Sequence, residues 1–294
     1  MKIRAHESFS IRKNWLHKGV KNILRENRLF CDKNINACDI LGIGSNMVKS
    51  MRYWLKAVGI MEEVKEGKLN VQRLTPLGEL INENDPFHQE DGTKFILHYK
   101  LACNYEDATS WYWFYNEYLG KTVDKKRFVD GLSEYLTKKN HKSSRKVLED
   151  EFNCLVKTYY NKEKEARDPE ETKDCPLADL GLLELENSKV REFKKTSPEE
   201  NDINPLIVYS VICDNVKDKD ENNEVLISSL LDDKNNIGKI FNMSRTLIIQ
   251  ILGKLVKMGY IEMSRTAGLD VIKMIRPISL EECLKEYYIE LNRG

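Results

Sequence analysis

The chain has 294 residues, equal numbers of basic and acidic side chains and a formal net charge of zero, and its length suits about two domains. The neutral balance argues against a uniformly basic nucleic-acid binder. No stretch approaches the roughly 20 apolar residues of a membrane helix, and residues 1–10 lack the apolar core of a signal peptide. The seven cysteines form no Cys-x-x-Cys pair, which indicates neither a zinc site nor a disulfide framework. A cytoplasmic protein with free thiols is expected.

The charge is unevenly distributed along the chain. Residues 1–60 hold 12 basic and 4 acidic side chains, so their net charge is 12 − 4, or about +8, which is typical of a surface that contacts nucleic acid. A helix is predicted from Ser8 or Ser10 to about Leu29, and its basic residues would lie beside a phosphate backbone. Uneven charge is also common on solvated helices, so both interpretations stand at this point.

Residues 41–60 have the pattern of a turn followed by an amphipathic helix. Gly42 and Gly44 favour a turn, Ser45 can cap a new helix, and Gly59 can end it. Apolar residues recur between them at helical spacing, and a β-hairpin is predicted directly afterwards. The pattern is typical of a winged helix-turn-helix, whose second helix enters the major groove of DNA. The predicted DNA-contacting residues are Ser45, Asn46, Lys49, Ser50, Arg52, Tyr53 and Lys56.

The same pattern returns 200 residues later. Residues 241–261 repeat the apolar stripe and the terminal glycine, Gly259, and a second hairpin is predicted after them. For the first stretch, a packed helical hairpin or a winged helix that binds protein is the alternative interpretation. The predicted DNA-contacting residues of the second stretch are Ser244, Arg245, Thr246, Gln250 and Lys254.

The sequence therefore predicts a mainly α fold in which two winged helix-turn-helix modules, with small β wings, flank a helical middle region. The predicted domains are residues 1–92, 93–221 and 222–294, and the second contains an acidic linker at residues 161–173. The middle region also contains an aromatic stretch, residues 110–118, that is apolar on nearly all sides. Such a stretch predicts a buried helix, and stacking of unpaired bases on its tryptophans is the alternative.

Familiar catalytic motifs are missing from the sequence. It contains no GxxxxGK[ST], GxGxxG, GxSxG or HExxH, and no metal-ligand pattern is predicted. His6 and Glu7 form the only adjacent His–acid pair near the basic stretch. A metal-binding or general-base role is one interpretation of this pair, and a capping or surface pair is the other. Together with Arg4 and Arg12 they are the candidates for catalysis.

Four segments carry a resemblance to known proteins. They are HESF at residues 6–9, LGIGSNMVKSMRYW at 41–54, WYWFYNE at 111–117 and DCPL at 174–177. In these segments the chain resembles a bacterial family of formerly unknown function that includes SspB, the DNA-nicking component of single-strand DNA phosphorothioation systems. The resemblance runs over nearly the whole chain, and the second segment is the most specific.

The resemblance implies a function in phage defence. It implies a protein that binds double-stranded DNA and nicks one strand, so that sulfur can replace a non-bridging phosphate oxygen. It also implies a PAPS reductase-like sulfurtransferase and an ATPase as partners, while nicking would commonly use a divalent metal, Mg²⁺ or Mn²⁺. No catalytic residue can be carried over from it. A non-catalytic adaptor that docks the modification enzymes, and a transcription regulator, are the alternatives.

Overall fold

The computed structural model describes residues 1–160, 175–216, 223–266 and 269–293. About half of the chain is helical, and three small antiparallel sheets complete the described fold. Within these ranges, no helix combines the length and the apolar character that crossing a membrane requires. The predicted acidic linker at residues 161–173 lies outside the described residues.

The first part of the chain consists of short helices around one hairpin. The strands pair from Met61 with Leu74 to Glu66 with Leu69, and Gly67, with a φ of 63°, makes the tight turn between them. These elements are α1 (Trp15–Ile23), α2 (Ala37–Leu41), α3 (Ser45–Ala57), β1 (Met61–Glu66), β2 (Leu69–Leu74) and α4 (Pro76–Asn84).

The middle part combines longer helices with a small sheet in the order β3-β5-β4. Nearly every residue of its second helix is buried, as the all-round apolar pattern at residues 110–118 predicts. The elements are α5 (Asp91–Cys103), α6 (Thr109–Asn116), β3 (Thr122–Val123), α7 (Lys125–Lys138), α8 (Arg145–Tyr159), a 3₁₀ turn (Pro176–Leu180), β4 (Leu183–Asn187), β5 (Glu192–Lys195) and α9 (Pro205–Val216).

The last part of the chain packs against the start of the middle part. The hydroxyl of Tyr287 accepts a hydrogen bond from the backbone N–H of Gly92 at 3.2 Å, and that of Tyr288 bonds to the Thr93 hydroxyl at 2.7 Å. Both tyrosines lie on the final helix. The elements are β6 (Glu224–Leu226), α10 (Ile227–Asp232), α11 (Ile237–Ile240), α12 (Arg245–Lys257), β7 (Ile261–Thr266), β8 (Leu269–Met274) and α13 (Leu280–Leu291).

The prediction of a mainly α fold with two winged helix-turn-helix modules flanking a helical middle region is wrong. The structure is only about half helical, and one of its three sheets lies in the region predicted to be helical. That sheet joins Val123 to Phe193, a pairing that no local pattern reveals. The apolar faces of α3 and α12 also belong to one continuous core that runs from Ile11 to Tyr288. The predicted domain boundaries stay a prediction.

Candidate functional site

The start of α3 is an accessible part of the predicted DNA-contacting surface. Gly42 adopts a φ of 58° and closes α2, so the chain turns before α3 begins. Gly44, and not Ser45 as predicted, precedes the helix, and it has no side chain to cap the first turn. Ser45, Asn46 and Lys49 are exposed. Uncapped backbone N–H groups and three polar side chains therefore face solvent at one end of the helix.

The next turns of α3 are covered by residues 1–11, here called the N-terminal segment. The carbonyl of Phe9 accepts hydrogen bonds from the Ser50 hydroxyl at 3.5 Å and from Trp54 Nε1 at 2.8 Å. The Tyr53 ring lies 6.0 Å from the His6 ring, centroid to centroid, and burial raises the pKa of the Tyr53 hydroxyl well above its usual value. Ser50 is therefore buried rather than presented to DNA.

The two remaining predicted cations of α3 are engaged within the chain. Arg52 Nε donates to the Glu63 carboxylate at 2.5 Å, and its Nη1 donates to the Phe30 carbonyl at 3.2 Å. Burial opposes the charge of Glu63, but Arg52 outweighs it and lowers the pKa of that carboxyl. Lys56 Nζ lies 3.5 Å from Asp107. Arg52 thus holds α3 against β1, and Lys56 holds it against the turn before α6.

The predicted cations of α12 are also paired within the chain. Arg245 bonds to Asp270 on β8 at 2.5 Å, and Lys254 lies 2.9 Å from the Glu200 carboxylate. Both ion pairs are partly exposed, so each contributes little to stability. They nevertheless reduce the positive charge that this helix presents to a polyanion.

The polar predicted residues of α12 are all exposed, and one of them also caps the helix. Ser244 caps the helix, because its hydroxyl accepts a hydrogen bond from the Leu247 backbone N–H at 3.2 Å. Thr246 and Gln250 are exposed on the helix. Unlike the start of α3, the start of α12 is capped by a side chain. The cation in its first turn, Arg245, also has a carboxylate close by, that of Asp270.

A buried ion pair joins the N-terminal segment to α8. His6 Nε2 lies 2.9 Å from the Glu151 carboxylate, and the two side chains are 1 % and 2 % exposed. The same carboxylate accepts a hydrogen bond from the Arg4 backbone N–H. The rings of Trp54 and Trp111 lie 6.2 and 5.6 Å from the imidazole and exclude water from the pair. Removing one partner of such a buried pair strongly destabilises the folded protein, because the other charge is left buried without compensation.

The protonation of His6 follows from this environment. Burial of the ring opposes the charged form, but the Cys154 sulfur and the Glu151 carboxylate outweigh it and raise the pKa of His6 well above its usual value. The backbone N–H of Ser8 lies 3.1 Å from Nδ1 and favours a neutral ring with its proton on Nε2. The attraction of the Glu151 carboxylate for the charged ring outweighs the effect of the Ser8 N–H, because the site is dry and charge–charge attraction is strong there.

The structure does not bring the four catalytic candidates together. His6 faces the core, whereas the Glu7 carboxylate lies 4.0 Å from Lys49 Nζ at the exposed start of α3. The Arg12 guanidinium stacks over the rings of Phe9 and Trp15, and that of Arg4 lies 3.4 Å from Asp150. Their catalytic roles stay predictions.

Glu151 is the central residue that the sequence reasoning missed. It lies 145 residues from His6, so no spacing links the two. A signal was nevertheless present, because Glu151 falls between Leu148 and Leu155 on the apolar stripe of α8. A carboxylate on a buried stripe requires a cation or several donors.

A divalent metal held by side chains alone requires several His, Cys, Asp or Glu ligands close together. In residues 1–160, 175–216, 223–266 and 269–293, no group of three or more His, Cys, Asp or Glu side chains could hold a metal ion. The chain's seven cysteines are free thiols, and Cys154, Cys175, Cys213 and Cys283 are buried. No chemical step is assigned to a metal.

Comparison with known proteins identifies the family. The family described as "Protein of unknown function (DUF4007)" matches residues 3–288. The chain belongs to this family. No curated protein matches it. The resemblance carried by the four sequence segments is thus confirmed at the level of the family.

The DUF4007 chain shares its fold with solved structures. A magnesium-bound SspB crystal structure aligns with a TM-score of 0.87 and 21% sequence identity, covering 100% of this chain and 89% of that chain. A second SspB crystal structure aligns with a TM-score of 0.84 and 18% identity over the same shares. At these identities the similarity establishes the fold, including the part that the sequence prediction placed in a helical middle region.

Replacing Glu151 tests the energetic role of the buried pair. We expect Glu151→Gln to lower the free energy of unfolding by about 3 kcal/mol, because it leaves His6 buried without its anion. Urea unfolding followed by circular dichroism measures the loss. Glu149→Gln, which removes a partly exposed partner of Arg145, is the matched control and should change stability by less than about 1 kcal/mol. Equal losses in the two variants would contradict the assigned role.

The same pair predicts a pH dependence. Because the folded-state pKa of His6 is raised, its stabilisation is fully present below the unfolded pKa of about 6.5 and is lost as the pH rises through the folded value. The stability difference between wild type and His6→Gln should therefore be larger at about pH 6 than at about pH 9. Urea unfolding of both proteins at the two pH values measures it. A difference that grows with pH would reverse the assigned direction.

Proposed function

We propose that this chain binds double-stranded DNA through the start of α3 and nicks one strand in a phosphorothioate-modification system. The observation that carries the proposal is the exposed group of Ser45, Asn46 and Lys49 beside the uncapped helix start. Membership of the DUF4007 family, and a fold shared with SspB along the whole chain, support the phosphorothioation context.

The chemistry of this group suits a DNA duplex. An asparagine side chain can bond the edge of adenine in the major groove through its amide. A lysine ammonium contacts phosphate as a point charge, and backbone N–H groups at a helix start favour the same anion. In the proposal Asn46 therefore reads a base, while Lys49 and the first turn position the backbone.

The other predicted contact residues take different places in the proposal. Arg52, Lys56 and Ser50 position α3 through their internal contacts with Glu63, Asp107 and the Phe9 carbonyl. Tyr53 supports the N-terminal segment. The predicted DNA contacts of α12 stay a prediction. The proposal does not use them, because Arg245 and Lys254 are paired within the chain.

A non-catalytic adaptor is the second candidate function, and a specific observation favours it. His6, the most reactive residue type among the catalytic candidates, is 1 % exposed and cannot reach a phosphodiester without opening the N-terminal segment. In this candidate the chain holds DNA, and the chemistry belongs to partners, a PAPS reductase-like sulfurtransferase and an ATPase. Nicking activity of the purified protein distinguishes the two candidates.

Salt dependence separates DNA contacts from positioning residues. We expect Lys49→Gln to weaken duplex binding and to reduce the slope of log K against log salt by about 1, since one phosphate contact is lost. Arg52→Gln should weaken binding without changing the slope, because its cation holds Glu63 and not a phosphate. Fluorescence anisotropy at several salt concentrations measures both. An unchanged affinity of Lys49→Gln for duplex DNA would show that the start of α3 is not the DNA interface.

Plasmid nicking tests the proposed activity. The purified protein is incubated with supercoiled plasmid, with and without Mg²⁺ or Mn²⁺, and open circles are expected. A Glu7→Ala, Arg12→Ala variant, which changes two partly exposed residues, tests whether activity depends on the N-terminal segment. An intact plasmid together with salt-sensitive binding would refute the nickase and support the adaptor.

A further inference from the structure

The turn that joins α7 to α8 is strongly positive. Residues 138–146, here called the basic turn, contain five basic side chains and no acidic one, so their net charge is +5. All five of these side chains are exposed, and they are Lys138, Lys139, Lys142, Arg145 and Lys146. A surface with positive charge this concentrated attracts a polyanion.

Two of these cations are available to a partner. In residues 1–160, 175–216, 223–266 and 269–293, no carboxylate lies within 4.0 Å of Lys139 or Lys142. Lys138 Nζ lies 2.7 Å from Glu134, and Arg145 Nη1 lies 3.1 Å from Asp130. The side chains of these two paired cations are 70 % and 62 % exposed. Ion pairs this exposed contribute little to stability, so a phosphate can replace the carboxylate at little cost.

The position of Arg145 and Lys146 is unfavourable within the chain itself. They are the first two residues of α8, which has no acidic residue in its first turn. The N-terminus of a helix carries partial positive charge, so it stabilises anions and repels cations. A phosphate beside this helix start would offset that repulsion, because it attracts both the cations and the backbone N–H groups.

The basic turn adjoins the start of α3. Lys146 Nζ lies 3.7 Å from Asp150, and Asp150 lies 3.4 Å from the exposed guanidinium of Arg4. The backbone N–H of Glu7 donates to the Arg4 carbonyl at 3.2 Å, and the Glu7 carboxylate lies 4.0 Å from Lys49 Nζ. Each step in this path is a contact of 4.0 Å or less. The N-terminal segment therefore connects the two surfaces directly.

We infer that the basic turn binds the phosphate backbone of double-stranded DNA, as a second contact beside the start of α3. The inference rests on the proposed function for its partner, the duplex that Asn46 and Lys49 contact. Phosphate contacts of this kind position a protein on DNA and carry no sequence information. In this arrangement Lys139 and Lys142 contribute affinity, while Asn46 contributes the reading of a base.

The composition of the basic turn favours DNA over a membrane surface. Residues 138–146 contain no apolar side chain that could enter the acyl region of a bilayer. Proteins that lie on membranes usually combine basic residues with such an apolar face. A phosphate backbone requires only the cations and the polar groups that this turn exposes.

Salt-dependent binding tests the contact. We expect Lys139→Gln, Lys142→Gln to weaken duplex binding roughly tenfold and to reduce the slope of log K against log salt by about 2, since two phosphate contacts are lost. Lys189→Gln, Lys285→Gln is the matched control, because it removes two exposed lysines from the β4–β5 turn and from α13. The control variant should keep the wild-type affinity and slope. Fluorescence anisotropy measures both.

Lysine acetylation of the unaltered protein tests the placement directly. With N-hydroxysulfosuccinimide acetate as the reagent, saturating duplex should slow the acetylation of Lys139 and Lys142. Lys189 and Lys285 should react at the same rate with and without DNA. Mass spectrometry of the digested protein measures the rate at each lysine, so no variant needs to fold.

The outcomes separate this inference from the proposed function. If Lys49→Gln weakens duplex binding and the Lys139→Gln, Lys142→Gln variant does not, the inference fails and the α3 interface stands. If only the Lys139→Gln, Lys142→Gln variant weakens binding, the basic turn is supported and the α3 interface fails. A wild-type protein that binds no duplex would overturn both.

Two further results would also overturn the inference. One is equal acetylation of Lys139 and Lys142 with and without duplex. The other is a variant, Lys139→Gln, Lys142→Gln, that keeps its affinity for the duplex but no longer binds vesicles of phosphatidylcholine and phosphatidylserine. That result would assign the basic turn to a lipid surface.

Discussion

The buried contact between His6 and Glu151 determines where the N-terminal segment lies, and the orientation of α3 depends on that segment. The contact anchors residues 1–11 on α8, and the Phe9 carbonyl in turn receives Trp54 and Ser50 from α3. The segment bends sharply to make these contacts, with Arg4, Glu7 and Ser8 all at positive φ. Such conformations cost roughly 1–3 kcal/mol each, so they persist only where the surrounding contacts impose them.

Some local elements were predictable from the sequence, but their assembly was not. The helix predicted from Ser8 or Ser10 to about Leu29 is wrong in its bounds, because α1 spans only Trp15–Ile23. The glycine turn and apolar spacing at residues 41–60 correctly indicated a helix, which the structure begins at Ser45, and the hairpin after it is also present. These features depend on neighbours within a few residues. The sheet that pairs Val123 with Phe193 depends on chain segments 70 residues apart, and no periodicity records that pairing. The predicted fold class failed there.

The candidate site was predicted incompletely for a related reason. Helical spacing correctly placed Ser45, Asn46 and Lys49 at an accessible helix end. It could not show that Arg52 and Lys56 are held by carboxylates from β1 and from the turn before α6, because a helix pattern does not specify what packs beside it. The repeat that begins at residue 241 also predicted a second DNA-contacting helix. Its apolar stripe is repeated, but its outward face has different chemistry.

The hydroxyls of Tyr287 and Tyr288 have a consequence for the order in which the protein folds. They complete the hydrogen bonds of Gly92 and Thr93, across a sequence separation of 195 residues. Contacts this distant in sequence carry a large loop-closure entropy and form late. During synthesis, these two hydrogen bonds cannot form until Tyr287 and Tyr288 have left the ribosome. The Gly92 N–H and the Thr93 hydroxyl therefore gain these partners only when α13 docks.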